Sequence, residues 1–184
     1  MPDDHAAIRA LVKRIRNETG ERVPDVDPRG PGAGAKVVML MLTPGPAPGG
    51  AQMTNVLSPT TNTDQSAINL RRLMSEAGLS ERVCVFWNAV PWALERRRDP
   101  TDGELRRGVA YLQEFLTLVH RPKVVVALGQ VAQRACRIGG IEAIETPSPS
   151  PLSVAPPGAQ PNSKSERWLR VRNGLRKAAS LADR

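Results

Sequence analysis

Apolar residues form short, nearly continuous runs, rich in valine, at several places along the chain. Four such runs occur, the last weaker than the others: 36–42, 83–87, 123–128 and 141–145. Runs of this length and composition are typical of strands that are buried on both faces of a sheet. The pattern therefore predicts four buried strands.

Segments with helical spacing lie before, between and after these runs. Residues 6–17 place apolar side chains three or four positions apart, and a second helix pattern begins after Asp64. Thr101 and Glu104 form a capping box ahead of a third pattern, and residues 163–166 open a last one. Strands that alternate with helices imply right-handed βαβ units. The predicted fold is α/β: a three-layer α/β/α sandwich with a central four-stranded parallel sheet.

A stretch rich in proline and glycine separates the first helix pattern from the first strand pattern. The residues that break regular structure here are Pro24, Pro28, Gly30, Pro31, Gly32 and Gly34. We therefore predict that residues 1–35 form an N-terminal helix and a linker packed on the main domain, 36–184. A chain of 184 residues is ordinarily one domain with one core.

The segments that follow the strand patterns are where a binding site is expected, because ligands bind beyond the carboxyl ends of parallel strands. The segments predicted at that edge are 43–59, 88–100, the turn at Gly129, and 146–163. The last is long for a loop and rich in proline and serine, which favours a functional role over a mere connection.

The charge and cysteine content narrow the class of protein. The chain carries 26 Lys and Arg against 18 Asp and Glu, a formal net charge of +8. Such an excess favours polyanionic partners such as nucleic acid, although a basic surface can also have no specific partner. The two cysteines cannot build a disulfide framework, a four-cysteine zinc site or an iron–sulfur cluster. We therefore predict no metal and no cofactor.

The sequence also bears on location and assembly. No apolar run approaches the ~20 residues that cross a bilayer, and the first residues lack the basic and then apolar order of a secretion signal. We expect a cytoplasmic protein with no membrane contact. The sequence says little about oligomeric state, and a monomer is the expectation.

The first segment at the predicted edge, 43–52, is rich in glycine and proline, which lets a backbone approach a ligand closely. One interpretation is a phosphate cradle, but the segment lacks the Gly-Lys-Ser/Thr end of a P-loop and the spacing of a dinucleotide fingerprint. The other interpretation is an ordinary strand-to-helix loop. Taken alone, the segment does not decide between them.

Three segments have an order and spacing that are hard to obtain by accident. They are a Thr-Pro-Gly-Pro segment at 43–58, an Asn-Ala-Val-Pro-Trp segment at 88–92 and a Pro-Ser-Pro-Ser-Pro-Leu-Ser segment at 147–153. Together they resemble the uracil-DNA glycosylase superfamily, and the helix-to-strand junction at 120–129 is also similar to the family's. The resemblance spans residues 37 to about 168.

The resemblance implies an enzyme that extrudes a nucleotide from the base stack and reads the base in a pocket. Asn88 takes the place of the family's strand-terminal asparagine. Its amide carries a donor and an acceptor, so it can meet uracil O4 and N3–H together. The other interpretation is that Asn88 caps a turn at the strand end. The remaining base-binding residues that the resemblance implies are Pro44, Gly45, Gln52 and Val56.

The resemblance also implies a DNA-binding surface. Ser150 takes the phosphate-contacting role with Ser153 beside it, and Leu152 matches the apolar residue that wedges into the vacated stack. The arginines expected to bind phosphates as well are Arg96, Arg97 and Arg98. The alternatives are a disordered surface loop for the serines and a solvated charged face for the arginines.

Three positions depart from the family's usual residues. Thr43 stands before Pro44, where many members have an Asp or Asn that orients the attacking water. Ser148 stands where a histidine usually hydrogen-bonds the departing uracil, and Val56 where an aromatic residue usually stacks on the base. A threonine hydroxyl can position water and a serine can donate one neutral hydrogen bond, but neither supplies charge. Thr43, Ser148 and Asn88 are the expected catalytic residues.

These features predict a DNA-repair glycosylase, a monofunctional hydrolase that flips uracil from single- or double-stranded DNA and hydrolyses its N-glycosidic bond to leave an abasic site. Two alternatives keep the same fold: a non-catalytic module that binds DNA or damaged bases, and a glycosylase for another deaminated base. The latter arises because Gly45 stands where some strict uracil enzymes place a bulky residue against the thymine methyl group. A nonspecific basic domain is the alternative of a different class.

Overall fold

A computed structural model describes residues 4–44, 56–94, 98–120, 122–154 and 165–184. The strands are β1 (Asp25–Val26), β2 (Val37–Met41), β3 (Val56–Leu57), β4 (Cys84–Asn88), β5 (Val124–Leu128) and β6 (Ile144–Thr146). The α-helices are α1 (Ala6–Thr19), α2 (Gln65–Ala77), α3 (Asp102–Leu118), α4 (Gln130–Gly139), α5 (Pro151–Val154) and α6 (Glu166–Ala182). Short 3-10 helices occupy Gly32–Gly34 and Glu81–Val83.

The central sheet has four strands in the order β4-β2-β5-β6. All three neighbouring pairs are parallel, with Met41 opposite Asn88 and Leu128 opposite Thr146 at their carboxyl ends. The four strands are the four that the apolar runs predict, and the predicted four-stranded parallel sheet is confirmed.

Two clusters of buried side chains cover the two faces of this sheet. In β2, Val38 and Leu40 belong to the first cluster, and Val37 and Met39 belong to the second. Helices α1, α3 and α4 complete the first cluster, and α2 and α6 complete the second. Because helices cover both faces, almost every position of β2 must be apolar, which explains its continuous apolar run. The predicted three-layer sandwich is confirmed.

Helix starts agree with the capping signals in the sequence. Asp64 Oδ1 accepts hydrogen bonds from the backbone N–H groups of Ser66 and Ala67, each at 3.0 Å, at the start of α2. Thr101 and Glu104 form the predicted capping box at the start of α3. These side chains satisfy N–H groups that have no partner inside the helix, and so they set where each helix begins.

The stretch between α1 and β2, which was predicted as a linker, contains short regular elements. It holds β1, which pairs in parallel with β3, and the 3-10 helix Gly32–Gly34. Each of these strands has only two residues, which is too few to show an apolar periodicity, and the two strands lie far apart along the chain. No local sequence pattern therefore predicts the pairing of β1 with β3.

The proline–serine stretch was predicted to be a loop, but part of it is helical. Residues Pro151–Val154 form one helical turn, α5, in which the carbonyl oxygen of Ser150 accepts from the N–H groups of Ser153 and Val154. Proline suits the first position of a helix because its missing N–H would have no partner there.

Helix α3 passes unusually close to the chain that leaves β4. A Cβ atom on Gly108 would lie 2.0 Å from the carbonyl oxygen of Ala89 and 3.1 Å from the Cα of Val90. Glycine is therefore required at this crossing, and the crossing fixes the backbone next to Asn88. Gly103, in the first turn of the same helix, has no such neighbour within 4 Å.

We expect Gly108→Ala to destabilise the protein by about 1–3 kcal/mol, because the added methyl group must displace backbone. Gly103→Ala is the matched control, and we expect it to stabilise the protein by up to about 1 kcal/mol through helix propensity. Urea unfolding of both variants measures the difference. Equal free energies of unfolding would show that α3 does not press on the chain after β4.

Candidate active site

The carboxyl edge of the sheet gathers the polar residues that the sequence singles out. β4 ends at Asn88, and Thr43 lies two residues beyond the end of β2, the neighbouring strand. Ser148 lies two residues beyond the end of β6, next to Gly129 at the end of β5. All three expected catalytic residues therefore lie on one edge, because parallel strands end on the same side of a sheet.

Asn88 is buried, with 1% of its surface exposed. The chain after Asn88 continues the pairing with β2. The backbone N–H of Ala89 donates to the carbonyl oxygen of Met41 at 2.8 Å, and that of Val90 donates to the carbonyl oxygen of Leu42 at 3.0 Å. Among the described residues, no group accepts a hydrogen bond from the Asn88 amide nitrogen Nδ2. A buried donor without a partner costs about 1–3 kcal/mol. Such a donor is available to a ligand that supplies the partner.

The hydroxyl proton of Thr43 is engaged in a hydrogen bond within the protein. Its Oγ1 donates to the carbonyl oxygen of Trp92 at 2.7 Å, which ties the end of β2 to the segment after Asn88. The oxygen lone pairs are left to accept a further hydrogen bond. Thr43 is half-buried, and Pro44, which follows it, is buried.

Ser148 has the opposite arrangement. Its Oγ accepts from the backbone N–H of Ser150 at 3.2 Å, so its own proton is left to donate. Its Cβ packs on Gly129, where φ is +92° and an added Cβ would lie 3.0 Å away. Only glycine combines that backbone angle with so close a neighbour. The contact places Ser148 against the end of β5.

The spacing of the strands sets the width of the site. β2 lies between β4 and β5, and neighbouring strands are about 4.8 Å apart, so the ends of β4 and β5 are separated by roughly 10 Å. Asn88, at the end of β4, and Ser148, against the end of β5, therefore lie on either side of β2.

The proline–serine segment presents an apolar side chain to solvent. Leu152, in α5, is 86% exposed, whereas Ser150 and Ser153 are partly buried. Val154, at the end of the same turn, is buried in the second core cluster and anchors it. An exposed leucine on an anchored turn has the form expected of a wedge.

Arg98 is exposed and already has a partner. Its guanidinium donates to the Glu104 carboxylate at 2.7 and 2.8 Å, which lowers the pKa of Glu104 to about 2. The pair supports the capping box of α3. The expected phosphate contact of Arg98 stays a prediction, as do the roles of Gly45, Gln52, Arg96 and Arg97, which lie outside the described residues.

Val56 lies in β3, opposite Asp25 of β1. It lines a cavity of about 200 Å³ beside the start of α1, together with His5 and Ile8. Neither Asn88 nor Ser148 lines that cavity. The structure therefore does not bring Val56 together with the other site residues, and its contact with the base stays a prediction.

A larger cavity of about 300 Å³ lies elsewhere, along the outer side of the edge strand β4. Its wall includes Cys84, Val85 and Phe86 of β4, with Asp27 and Arg29 across from them. Arg29 donates to Asp27 and lowers the pKa of that carboxyl to about 2. This cavity adjoins the amino end of β4, whereas Asn88 lies at the carboxyl end.

The turn at Gly129, which the sequence places at the edge, supports Ser148. Two residues at the edge were not anticipated from the sequence. The side-chain amides of Asn69 in α2 and Gln133 in α4 donate to carbonyl groups of the chain that carries Ser148. Polar residues on partly exposed helix positions are common, so the sequence gives no signal that distinguishes these two amides.

Comparison with known protein families shows the family of this chain. The family model of the uracil DNA glycosylase superfamily matches residues 33–172, which include all four strands of the central sheet. The chain belongs to the uracil DNA glycosylase superfamily. The resemblance described above is confirmed, and membership supports a glycosylase-type role in DNA repair, with DNA as the substrate. No curated protein matches the chain. Within the described ranges, no helix has the length and apolar character needed to span a membrane.

Proposed function

We propose that this protein is a uracil-DNA glycosylase, a monofunctional hydrolase that removes uracil from single- and double-stranded DNA and leaves an abasic site. It acts as a monomer in the cytoplasm. The observation that carries the proposal is the buried Asn88 amide at the carboxyl edge, whose Nδ2 has no partner among the described residues.

A flipped uracil completes the hydrogen bonding of Asn88. Nδ2 donates to uracil O4, while Oδ1 accepts from N3–H. Cytosine presents a donor in place of O4 and an acceptor in place of N3–H, so it pairs poorly with an amide held in this orientation. A base with the right pattern offsets the free-energy cost of the unsatisfied donor.

Thr43 acts on the attacking water, and Ser148 acts on the leaving base. Thr43 Oγ1, whose proton is held by Trp92, accepts a hydrogen bond from water and leaves a lone pair of that water directed at the sugar carbon C1′. The bond between C1′ and N1 breaks, the water oxygen bonds to C1′, and the water proton passes to solvent. Ser148 donates to uracil O2, where negative charge develops on the leaving base.

Neither hydroxyl supplies a formal charge, so the sugar cation must be stabilised by other groups. DNA phosphates serve this purpose, while backbone N–H dipoles at the edge of the sheet stabilise the negative charge on the leaving base. Ser150 and Ser153 contact the phosphates without reading sequence, aided by the arginines Arg96, Arg97 and Arg98. Leu152 fills the space that the flipped base leaves.

A non-catalytic module that binds a flipped base is the second candidate. Among the described residues at the edge, segments 43–44, 88–94 and 146–154 contain no Asp, Glu, His, Lys, Arg, Cys or Tyr, so these segments hold no group that acts as a base near neutral pH. A glycosylase for another deaminated base is a variant of the first candidate. Hydrolysis assays on matched oligonucleotides separate all three.

Uracil release from a single-stranded oligonucleotide, scored by alkaline scission, is the test of the proposed function. We expect Asn88→Asp to lower kcat/KM about 10- to 100-fold, because a carboxylate cannot donate to O4 and repels it. Asn173→Asp makes the same change at an exposed position of α6 and should leave kcat/KM unchanged.

Three results would count against parts of this proposal. Wild-type activity on uracil with unchanged kinetics in Asn88→Asp would show that the base is read elsewhere. Binding of uracil DNA without product at enzyme excess would identify a binding module. Release of hypoxanthine in preference to uracil would assign a different base.

The pH dependence of kcat tests the roles of the two hydroxyls. Neither Thr43 nor Ser148 titrates near neutral pH, so we expect kcat to be nearly constant from about pH 5.5 to 8.5. Single-turnover rates across this range provide the measurement. An acidic limb would instead indicate a carboxylate base, for which Glu95, the first carboxylate after Asn88 in the sequence, is the residue to substitute.

The wedge role of Leu152 predicts a difference between substrates. Leu152→Ala should lower kcat/KM about tenfold on duplex DNA and much less on single strands, because only the duplex has a stack to refill. Ile138→Ala, which truncates an apolar side chain that is 39% exposed on α4, is the control and should affect neither substrate. Equal losses on duplex and single strand in Leu152→Ala would contradict the wedge role.

A further inference from the structure

The segment that carries Ser148 and Leu152 can make few backbone hydrogen bonds of its own. Three of its residues are proline, at 147, 149 and 151, and proline has no N–H to donate. Its carbonyl groups still require donors where they are buried. The donors that the structure supplies come from helices on both sides of the sheet.

The first donor is Asn69 of α2, which belongs to the layer of the second core cluster. Asn69 Nδ2 donates to the carbonyl oxygen of Pro149 at 2.9 Å. Gln65, one turn earlier, donates from Nε2 to Asn69 Oδ1 at 3.0 Å. Because that contact occupies the oxygen of Asn69, it fixes the amide with its NH₂ group toward Pro149.

The second donor is Gln133 of α4, in the layer on the opposite face of the sheet. Gln133 Nε2 donates to the carbonyl oxygen of Thr146 at 2.8 Å. The backbone N–H of Gly129 donates to the same oxygen at 2.9 Å. Both lone pairs of this carbonyl are therefore used, at the point where the chain leaves β6.

These contacts lie on either side of Ser148, two residues before it and one residue after it. We propose that Asn69 and Gln133 are positioning residues, which together hold Ser148 against Gly129 at the distance from Asn88 that the substrate requires. This inference rests on the proposed function, because it concerns the geometry of the same site. A displacement of about 1 Å at a reacting group can cost about 100-fold in rate.

The test uses Asn69→Leu and Gln133→Met, which keep the side-chain size and remove the donor. Gln113→Met is the matched control, since Gln113 Nε2 in α3 donates to the carbonyl oxygen of Gly139, the last residue of α4, at 3.1 Å. We expect kcat on single-stranded uracil DNA to fall about 10- to 100-fold in the first two variants, with a Tm within a few degrees of the control. The control should keep wild-type kcat.

A cycle with Ser148→Ala separates positioning from a general loss of structure. If the amides act through Ser148, Asn69→Leu in the Ser148→Ala background should lower kcat by less than about twofold, because the group that it positions is already gone. Full additivity of the two substitutions would overturn the proposal. So would wild-type kcat in both amide variants.

Hydrogen exchange gives a second measurement that does not depend on activity. Exchange in a peptide covering 147–154 should be at least about tenfold faster in Asn69→Leu and Gln133→Met than in Gln113→Met, because a carbonyl anchor is lost. If the wild-type protein does not cleave uracil DNA, the proposed function fails, and unchanged exchange in both variants would then overturn the positioning role separately.

Discussion

Parallel pairing of β2 with a strand on each side is the constraint on which the site depends. Because β4, β2 and β5 run in the same direction, the segments that leave them emerge at one edge of the sheet. A slip of one residue would turn every side chain to the other face. Both faces of β2 are packed against helices, so burial fixes the register and sets the height of Asn88 relative to Thr43.

Hydrogen bonds within the folded protein determine whether each polar side chain at the site is left to donate or to accept a hydrogen bond. The bond to Trp92 leaves Thr43 as an acceptor, and the bond from Ser150 leaves Ser148 as a donor. Asn88 keeps a donor without a partner among the described residues. In the proposed function, these three states serve water, uracil O2 and uracil O4 in turn. The states of Thr43 and Ser148 are set by hydrogen bonds to backbone groups that exist before any ligand binds, so these two side chains are preorganised.

Close backbone contacts at glycine hold this edge together. Gly108 lets α3 press on the chain beside Asn88, and Gly129 lets Ser148 pack on the end of β5. Gly174 has the same function in α6, since a Cβ there would lie 2.3 Å from Thr146 Cγ2. Thr43, Asn88 and Ser148 are neutral, so the proposed mechanism depends on fixed dipoles and DNA phosphates, and fixed dipoles are effective only where the backbone cannot shift.

The sequence alone determined the layers of the fold and the order of the strands along the chain. Apolar runs revealed the strands of the central sheet and side-chain caps revealed the starts of α2 and α3, because burial and capping act on neighbouring residues. It also placed Asn88 at a strand end. The pairing of β1 with β3 and the helical turn α5 were decided by tertiary structure, since neither has a periodic pattern. The same holds for the contacts of Ser148, whose neighbours Gly129 and Gln133 are distant in sequence and are brought to it only by the folding of the whole sheet.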